Sequence, residues 1–204
     1  PAVHAIVANS GIANACTGEQ GREYCRQTAQ AAAEALGIPE TAVLVASTGV
    51  IGMQLPMDRI TAGVKALAGV LSDKEDAGRE AAEAIMTTDT HSKQVAVTVE
   101  LSGKTVTIGG MAKGSGMIHP NMCTMLGFVT TDAAISRELL QEALSADVVD
   151  TFNMISVDGD TSTNDTLLVL ANGCAGNKEI TEKNEDYRTF CEALHEVNIS
   201  LSKM

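Results

Sequence analysis

The stretch "KQVAVTVEL" (Lys93 to Leu101) alternates apolar and polar residues, so Val95, Val97, Val99 and Leu101 share one face. That period of two predicts a half-buried strand, and Ser102-Gly103 followed by "KTVTIGG" predicts its return as a β-hairpin. Shorter apolar runs bounded by turn residues predict further strands at "VHAIVAN" (Val3 to Asn9), "TAVLVAS" (Thr41 to Ser47), "MLGFVTTDA" after Thr124 and "NDTLLVLANG" from Asn164. Helical spacing fills the intervals. "TGEQGREYCRQTAQAAAEALG" opens with a capping box, Thr17 to Gln20, and closes at Gly37. "LPMDRITAGVKALAGVLS" carries Pro56 near its start, and "SDKEDAGREAAEAIM" repeats the capping signal at Ser72 and Glu75. "SRELLQEALSADVVDTFNMIS" is helical, and in the last helix Tyr187, Phe190, Cys191, Leu194, Val197 and Leu201 form one apolar stripe. Strands and helices alternate throughout. The predicted class is α/β or α+β, with layered sheets covered by helices.

Composition narrows this picture. In 204 residues, 45% are hydrophobic but only 2% aromatic, so the core is expected to be built from Ala, Val, Ile, Leu and Met. A net charge of -12 excludes nucleic acid, which demands a basic face and stacking aromatics. No apolar run approaches the ~18 residues that a membrane span requires, so no membrane partner is expected. Five cysteines without a C-x-x-C pair point to a reducing cytoplasm rather than to disulfides or zinc. The chain begins at Pro1 and runs to Met204 without a capping residue, and it reads as an internal piece of a longer protein.

Several segments carry candidate chemistry. "DGDTSTND" (Asp158 to Asp165) alternates oxygen ligands like a calcium loop, but Thr163 stands where the turn needs Gly and Val169 where a closing Glu belongs. A turn held by Asx and Ser/Thr side chains is the better reading. "GGMAKGSG" fails as a phosphate cradle because Ala112 replaces a required Gly. His4, His91, His119 and His195 show no metal spacing, and only His119 lies near the most unusual segment. That segment, "KGSGMIHPNMCTMLGFVTTD" (Lys113 to Asp132), gathers a lysine, hydroxyls, a thiol and an Asn around the Cys123-Thr124 bond and then turns abruptly apolar. In "ASTGVIG" (Ala46 to Gly52) the plain reading is a strand-to-loop turn. The functional one is an oxyanion hole from Thr48 Oγ1 and the Gly49 N–H.

"NSGIANACTG", "STGVIG", "MTTDT", "AKGSGMIHPNM-T-ML-FVTTDA" and "SVDGDTSTNDT" occur in one order along the chain. In these motifs the sequence resembles the ornithine acetyltransferases, or bifunctional glutamate N-acetyltransferases, of arginine biosynthesis. The resemblance implies a layered α/β fold shared with a self-cleaving aminopeptidase family. It also implies self-cleavage between Cys123 and Thr124, dividing the chain into 1–123, the end of an α chain, and 124–204, the start of a β chain, interwoven as one unit. Freed Thr124 would be the nucleophile, Thr48 and Gly49 the oxyanion hole, and Thr87 and Lys113 substrate contacts. Neighbouring Thr88 leaves the register of Thr87 open. The implied substrates are N-acetylornithine and glutamate, with acetyl-CoA an additional donor in some members and no metal or organic cofactor. An α2β2 assembly completed by missing N- and C-terminal segments is expected. The sequence departs from the family in Cys123, where Ala is common, and in stopping before a downstream "GEGATK" segment. An N-terminal-threonine amidohydrolase of the same fold and an uncleaved, inactive assembly module are the alternatives.

Overall fold

The structure is a computed structural model that describes residues 2–116, 125–160 and 162–204. By packing, the chain forms two compact units: Pro1–Thr87 with Thr163–Asp165, and Thr88–Ser162 with Thr166–Met204.

In the first unit, β1 (Ala5–Ile12) and β2 (Val43–Val50) run parallel, joined by α1 (Gly18–Leu36), and α2 (Met57–Ala68) and α3 (Glu75–Ala84) follow. Ala29, Ala32 and Ala33 of α1 pack on Val43, with Val7, Val45 and Val64 around them. Alanine leaves room for the helix to sit close to the strands. The helix stops where the sequence says it should, because Gly37 takes the left-handed conformation at φ 66° and its N–H bonds the Ala33 carbonyl. Its start differs from expectation. Thr17 makes no side-chain cap, and its Oγ1 donates to Asn14 Oδ1 at 2.6 Å instead. Likewise, Ser72 accepts from the Lys74 N–H rather than capping α3.

The second unit is built on a four-stranded sheet ordered β3 (Lys93–Leu101), β4 (Lys104–Lys113), β5 (Leu126–Thr131) and β6 (Thr166–Ala171). The predicted hairpin is present: Ser102 and Gly103 have φ of 50° and 71°, the pair of positive values that a two-residue turn needs. β5 is central, antiparallel to β4 and parallel to β6, and is buried on both faces apart from Thr130. Helix α4 (Arg137–Asp150), capped by Ser136, connects β5 to β6, and α5 (Glu185–Lys203), capped by Asn184, packs against α4 and the β3–β4 hairpin. The expected long α4 ends early. Thr151 leaves helical geometry while its Oγ1 donates to the Asp147 carbonyl, and a 3₁₀ turn over Phe152–Met154 follows.

The stripe on α5 is a core face: Phe190, Leu194, Val197 and Leu201 are buried against Leu101, Val106, Ile108 and Val129. The few aromatics are concentrated here, since Phe128, Phe152, Phe190 and Tyr187 are all buried in this unit. The expected aliphatic core therefore describes the first unit better than the second. Among the described residues, no helix is long and apolar enough to cross a membrane.

Candidate active site

The expected cleavage site, Cys123-Thr124, lies outside the described residues, as does His119. The described residues before and after it belong to or adjoin β4 and β5. Lys113 is the last residue of β4, paired in register with Leu126, the first residue of β5. This places Lys113 on a strand rather than in a loop, and it removes the phosphate-cradle reading of "GGMAKGSG", because Gly109 to Ala112 are ladder residues as well. On the far side, the Met125 carbonyl accepts from the Thr166 N–H at 3.1 Å.

Lys113 is buried, with 5% of its surface exposed, and lines a cavity of about 540 Å³ together with Thr90, Lys93, Ser115, Met125 and Ser156. Burial pushes the Lys113 ammonium below the usual lysine range; the negative charge of Asp89 pulls it back up, and the positive charge of Lys93 adds to the depression. A buried cation at the wall of a cavity can form a charge-assisted hydrogen bond with a small carboxylate that enters it.

Beside Lys113 stands a buried ion pair that sequence reasoning missed. Lys93 Nζ lies 2.5 Å from Asp89 Oδ1, with side-chain exposures of 8% and 0%. The same Asp89 oxygen accepts from the Gly114 N–H at 2.7 Å, and Lys93 Nζ donates to the Gly114 carbonyl at 2.9 Å. The next residue is tied too, since Ser115 Oγ and Thr88 Oγ1 are 2.6 Å apart. "MTTDT" was a recognisable motif, and opposite charges four apart were the available signal. Its two neighbouring threonines are both exposed, and Thr88 is the one whose hydroxyl meets Ser115; Thr87 closes the first unit.

In the first unit, Thr48 and Gly49 are not at a strand-to-loop turn. β2 continues through both, opposite Ser10 and Gly11 of β1. Gly49 has φ 128°, and a Cβ there would lie 2.3 Å from the Gly11 carbonyl carbon, so the two backbones pass where only glycine fits. Thr48 is 1% exposed, and its Oγ1 has no hydrogen-bond partner among the described residues. A buried orphan hydroxyl costs about 1–3 kcal/mol, a cost that functional sites are known to carry.

Asp158 Oδ1 accepts from the Asp160 N–H in an Asx turn, and among the described residues no group of three or more His, Cys, Asp or Glu side chains is arranged to hold a metal ion. His91 meets Thr90 Oγ1 at 3.1 Å, and His195 meets Asp147 Oδ1 at 2.6 Å on the α4–α5 side.

The ArgJ family profile matches residues 1–204. The chain belongs to the ArgJ family. It is 61% identical over 201 residues to the arginine biosynthesis bifunctional protein ArgJ of Symbiobacterium thermophilum, covering 98% of this chain and 50% of that protein. It is 54% identical over 202 residues to ArgJ 1 of Clostridium acetobutylicum, covering 99% and 49%. This chain thus spans about half the length of the curated relatives it matches. Among solved structures, ArgJ of Bacillus halodurans aligns with a TM-score of 0.53 at 47% identity, over 59% of this chain and 61% of that one. The ornithine acetyltransferase of Mycobacterium tuberculosis complexed with ornithine aligns with a TM-score of 0.50 at 41% identity, over 57% and 61%. These ArgJ structures agree with the layered α/β class.

Proposed function

We propose that the protein containing this chain moves an acetyl group from N-acetylornithine to glutamate through an acetyl-Thr124 intermediate, after cutting itself between Cys123 and Thr124. Family membership over the whole chain supports the reaction class. The observation that carries the site assignment is the placement of Lys113: a buried cation on a cavity wall, paired in register with Leu126, the first residue of β5.

In the proposed sequence, Thr124 Oγ1 attacks the Cys123 carbonyl, the peptide nitrogen leaves as the new α-amine, and water opens the ester to free Cys123 as a carboxylate. The α-amine has a reference pKa of ~7.7–8.0, so near neutral pH it accepts the hydroxyl proton as Oγ1 attacks the acetyl carbonyl. Ornithine leaves, glutamate enters, and its amine takes the acetyl group in a ping-pong cycle. Thr48 and Gly49 stabilise the tetrahedral oxyanion, and Lys113 pairs with the carboxylate common to both amino acids. Thr87 is a further substrate contact in this scheme. The chemistry calls for no metal or organic cofactor, and acetyl-CoA is a second donor to glutamate if the enzyme is bifunctional. We place the enzyme in the cytoplasm as an α2β2 assembly.

The test is an assay of the full-length protein with N-acetylornithine, with and without glutamate, alongside N-terminal sequencing. Acetylglutamate formed by a two-chain enzyme that begins at Thr124 supports the proposal. Acetate released regardless of glutamate would instead identify an amidohydrolase, and an uncut, inactive protein an assembly module.

A further inference from the structure

We propose that the buried Asp89–Lys93 pair is a clamp that positions the chain for self-cleavage by fixing Gly114, the first residue beyond β4 on the way to Cys123-Thr124. This inference rests on the self-cleaving reading of the site. Its geometric basis is that the two members of one ion pair hold both peptide groups of a single residue. Asp89 Oδ1 takes the Gly114 N–H at 2.7 Å, while Lys93 Nζ takes the Gly114 carbonyl at 2.9 Å. The pair is itself closed at 2.5 Å and out of water.

A buried ion pair is weak grounds for stability, since desolvating two charges offsets most of their attraction. What this pair does is geometric. Lys93 is the first residue of β3, in register with Ala112, so its stem is fixed by the sheet. Asp89 precedes it in the Thr88–Ser92 segment, whose Thr88 also holds Ser115 at 2.6 Å. Together these bonds fix residues 114 and 115 from one side, and the Lys113–Leu126 rung and the bond from Thr166 N–H to the Met125 carbonyl fix the chain on the other. Both ends of the segment that bears the scissile bond are therefore anchored on the same sheet. An intramolecular attack depends steeply on where its reacting atoms are held: a misplacement of about 1 Å costs on the order of 10²-fold in rate. Asp89 and Lys93 are positioning residues in this account, acting through Gly114 and not on the reacting atoms.

The test compares full-length wild type with Asp89→Ala, Lys93→Met and Lys93→Arg, following the appearance of the two chains by intact mass and the protection of the Gly114 amide by hydrogen exchange. Leu194→Ala, a deletion in the α5 core, serves as a control for lost stability. The clamp predicts cleavage slowed at least ~10-fold in Asp89→Ala and Lys93→Met, partial recovery in Lys93→Arg, and loss of Gly114 protection in the slow variants. Leu194→Ala should lower the melting temperature by as much and still cleave at close to the wild-type rate. Wild-type cleavage rates in Asp89→Ala and Lys93→Met, or slowing matched by Leu194→Ala at equal loss of stability, would overturn the positioning role. A wild type that never cuts overturns self-cleavage, and with it a role for the clamp in that step. In that event the exchange data still decide whether the pair holds Gly114: unchanged protection in Asp89→Ala means that it does not.

Discussion

Lys113 and Leu126 face each other across the β4–β5 ladder, and the bond expected to break lies in the chain between them. Cutting that connection removes no rung of the sheet. The pairing from Ile108–Thr131 to Lys113–Leu126 remains, and so does the burial of Leu126, Phe128 and Val129. The two products should therefore stay together in native buffer and separate only in denaturant. Size exclusion of the cleaved protein, run with and without 6–8 M urea (about the range that unfolds most small domains), checks this. Spontaneous separation in native buffer would mean that β4 and β5 are not paired in the mature enzyme.

Replacing the nucleophile separates cutting from folding. Thr124→Ala should leave a single chain with no acetyl transfer, and Thr124→Ser should retain both reactions at reduced rate. Cys123→Ala should cut at the same bond with comparable activity, because Oγ1 of Thr124 reaches the Cys123 carbonyl through a five-membered ring, while the Cys123 thiol would have to attack a different bond. Intact mass reads all three variants. An N-terminus at Cys123 in the parent protein would make the thiol the participant.

The contrast between what the sequence displays and what it hides follows from the range of the interactions. Helices, the hairpin at Ser102-Gly103 and the α5 stripe are written in local periodicity and turn chemistry, and they appear where expected, apart from α4, which stops at Asp150, and the caps expected at Thr17 and Ser72. The extension of β2 through Thr48 and Gly49 is not, because a Thr-Gly pair ordinarily signals a turn. The strand continues only because Gly11 of β1 lets Gly49 pass. The same holds for Thr17, whose hydroxyl is taken by Asn14, and for Asp89 and Lys93, which meet over Gly114, a residue brought to them by the sheet. Candidate chemistry was legible as motifs, and partnerships between motifs were not.

The depressed basicity of Lys113 has a consequence for pH. Binding a carboxylate needs the charged ammonium, and a lowered pKa means that the charge is lost earlier as pH rises. The alkaline limb of KM for glutamate should therefore fall below the ordinary lysine value of ~10.4. Lys113→Arg, which keeps its charge, should move that limb upward. Lys113→Ala should raise KM for both amino-acid substrates by ~10–100-fold, the worth of a hydrogen bond to a charged group. KM values measured across pH for the three proteins check these statements. Unchanged KM in Lys113→Ala would assign the lysine to cleavage or structure.

Gly49 and its neighbour separate two roles within one strand. At Gly49 a side chain would collide with the Gly11 backbone at 2.3–2.4 Å, so Gly49→Ala should force β1 and β2 apart. The expected loss is about 2–4 kcal/mol, combining overpacking with a strained positive φ. A fall in melting temperature with no stable two-chain product would follow.

Thr48→Val should do the reverse. Valine has nearly the same shape as threonine, so packing at a residue 1% exposed is kept, while the hydroxyl that has no partner among the described residues is removed. Taking away a buried orphan group should leave stability unchanged or raise it by up to ~1 kcal/mol. If that hydroxyl serves as an oxyanion donor, acyl transfer should nevertheless slow by ~10²–10³-fold, mostly in kcat, because the donor acts on charge that develops only in the transition state. Thermal unfolding and steady-state kinetics on the same preparation test both halves. A variant that is more stable and equally active would leave Thr48 a packing residue and move the oxyanion donor elsewhere.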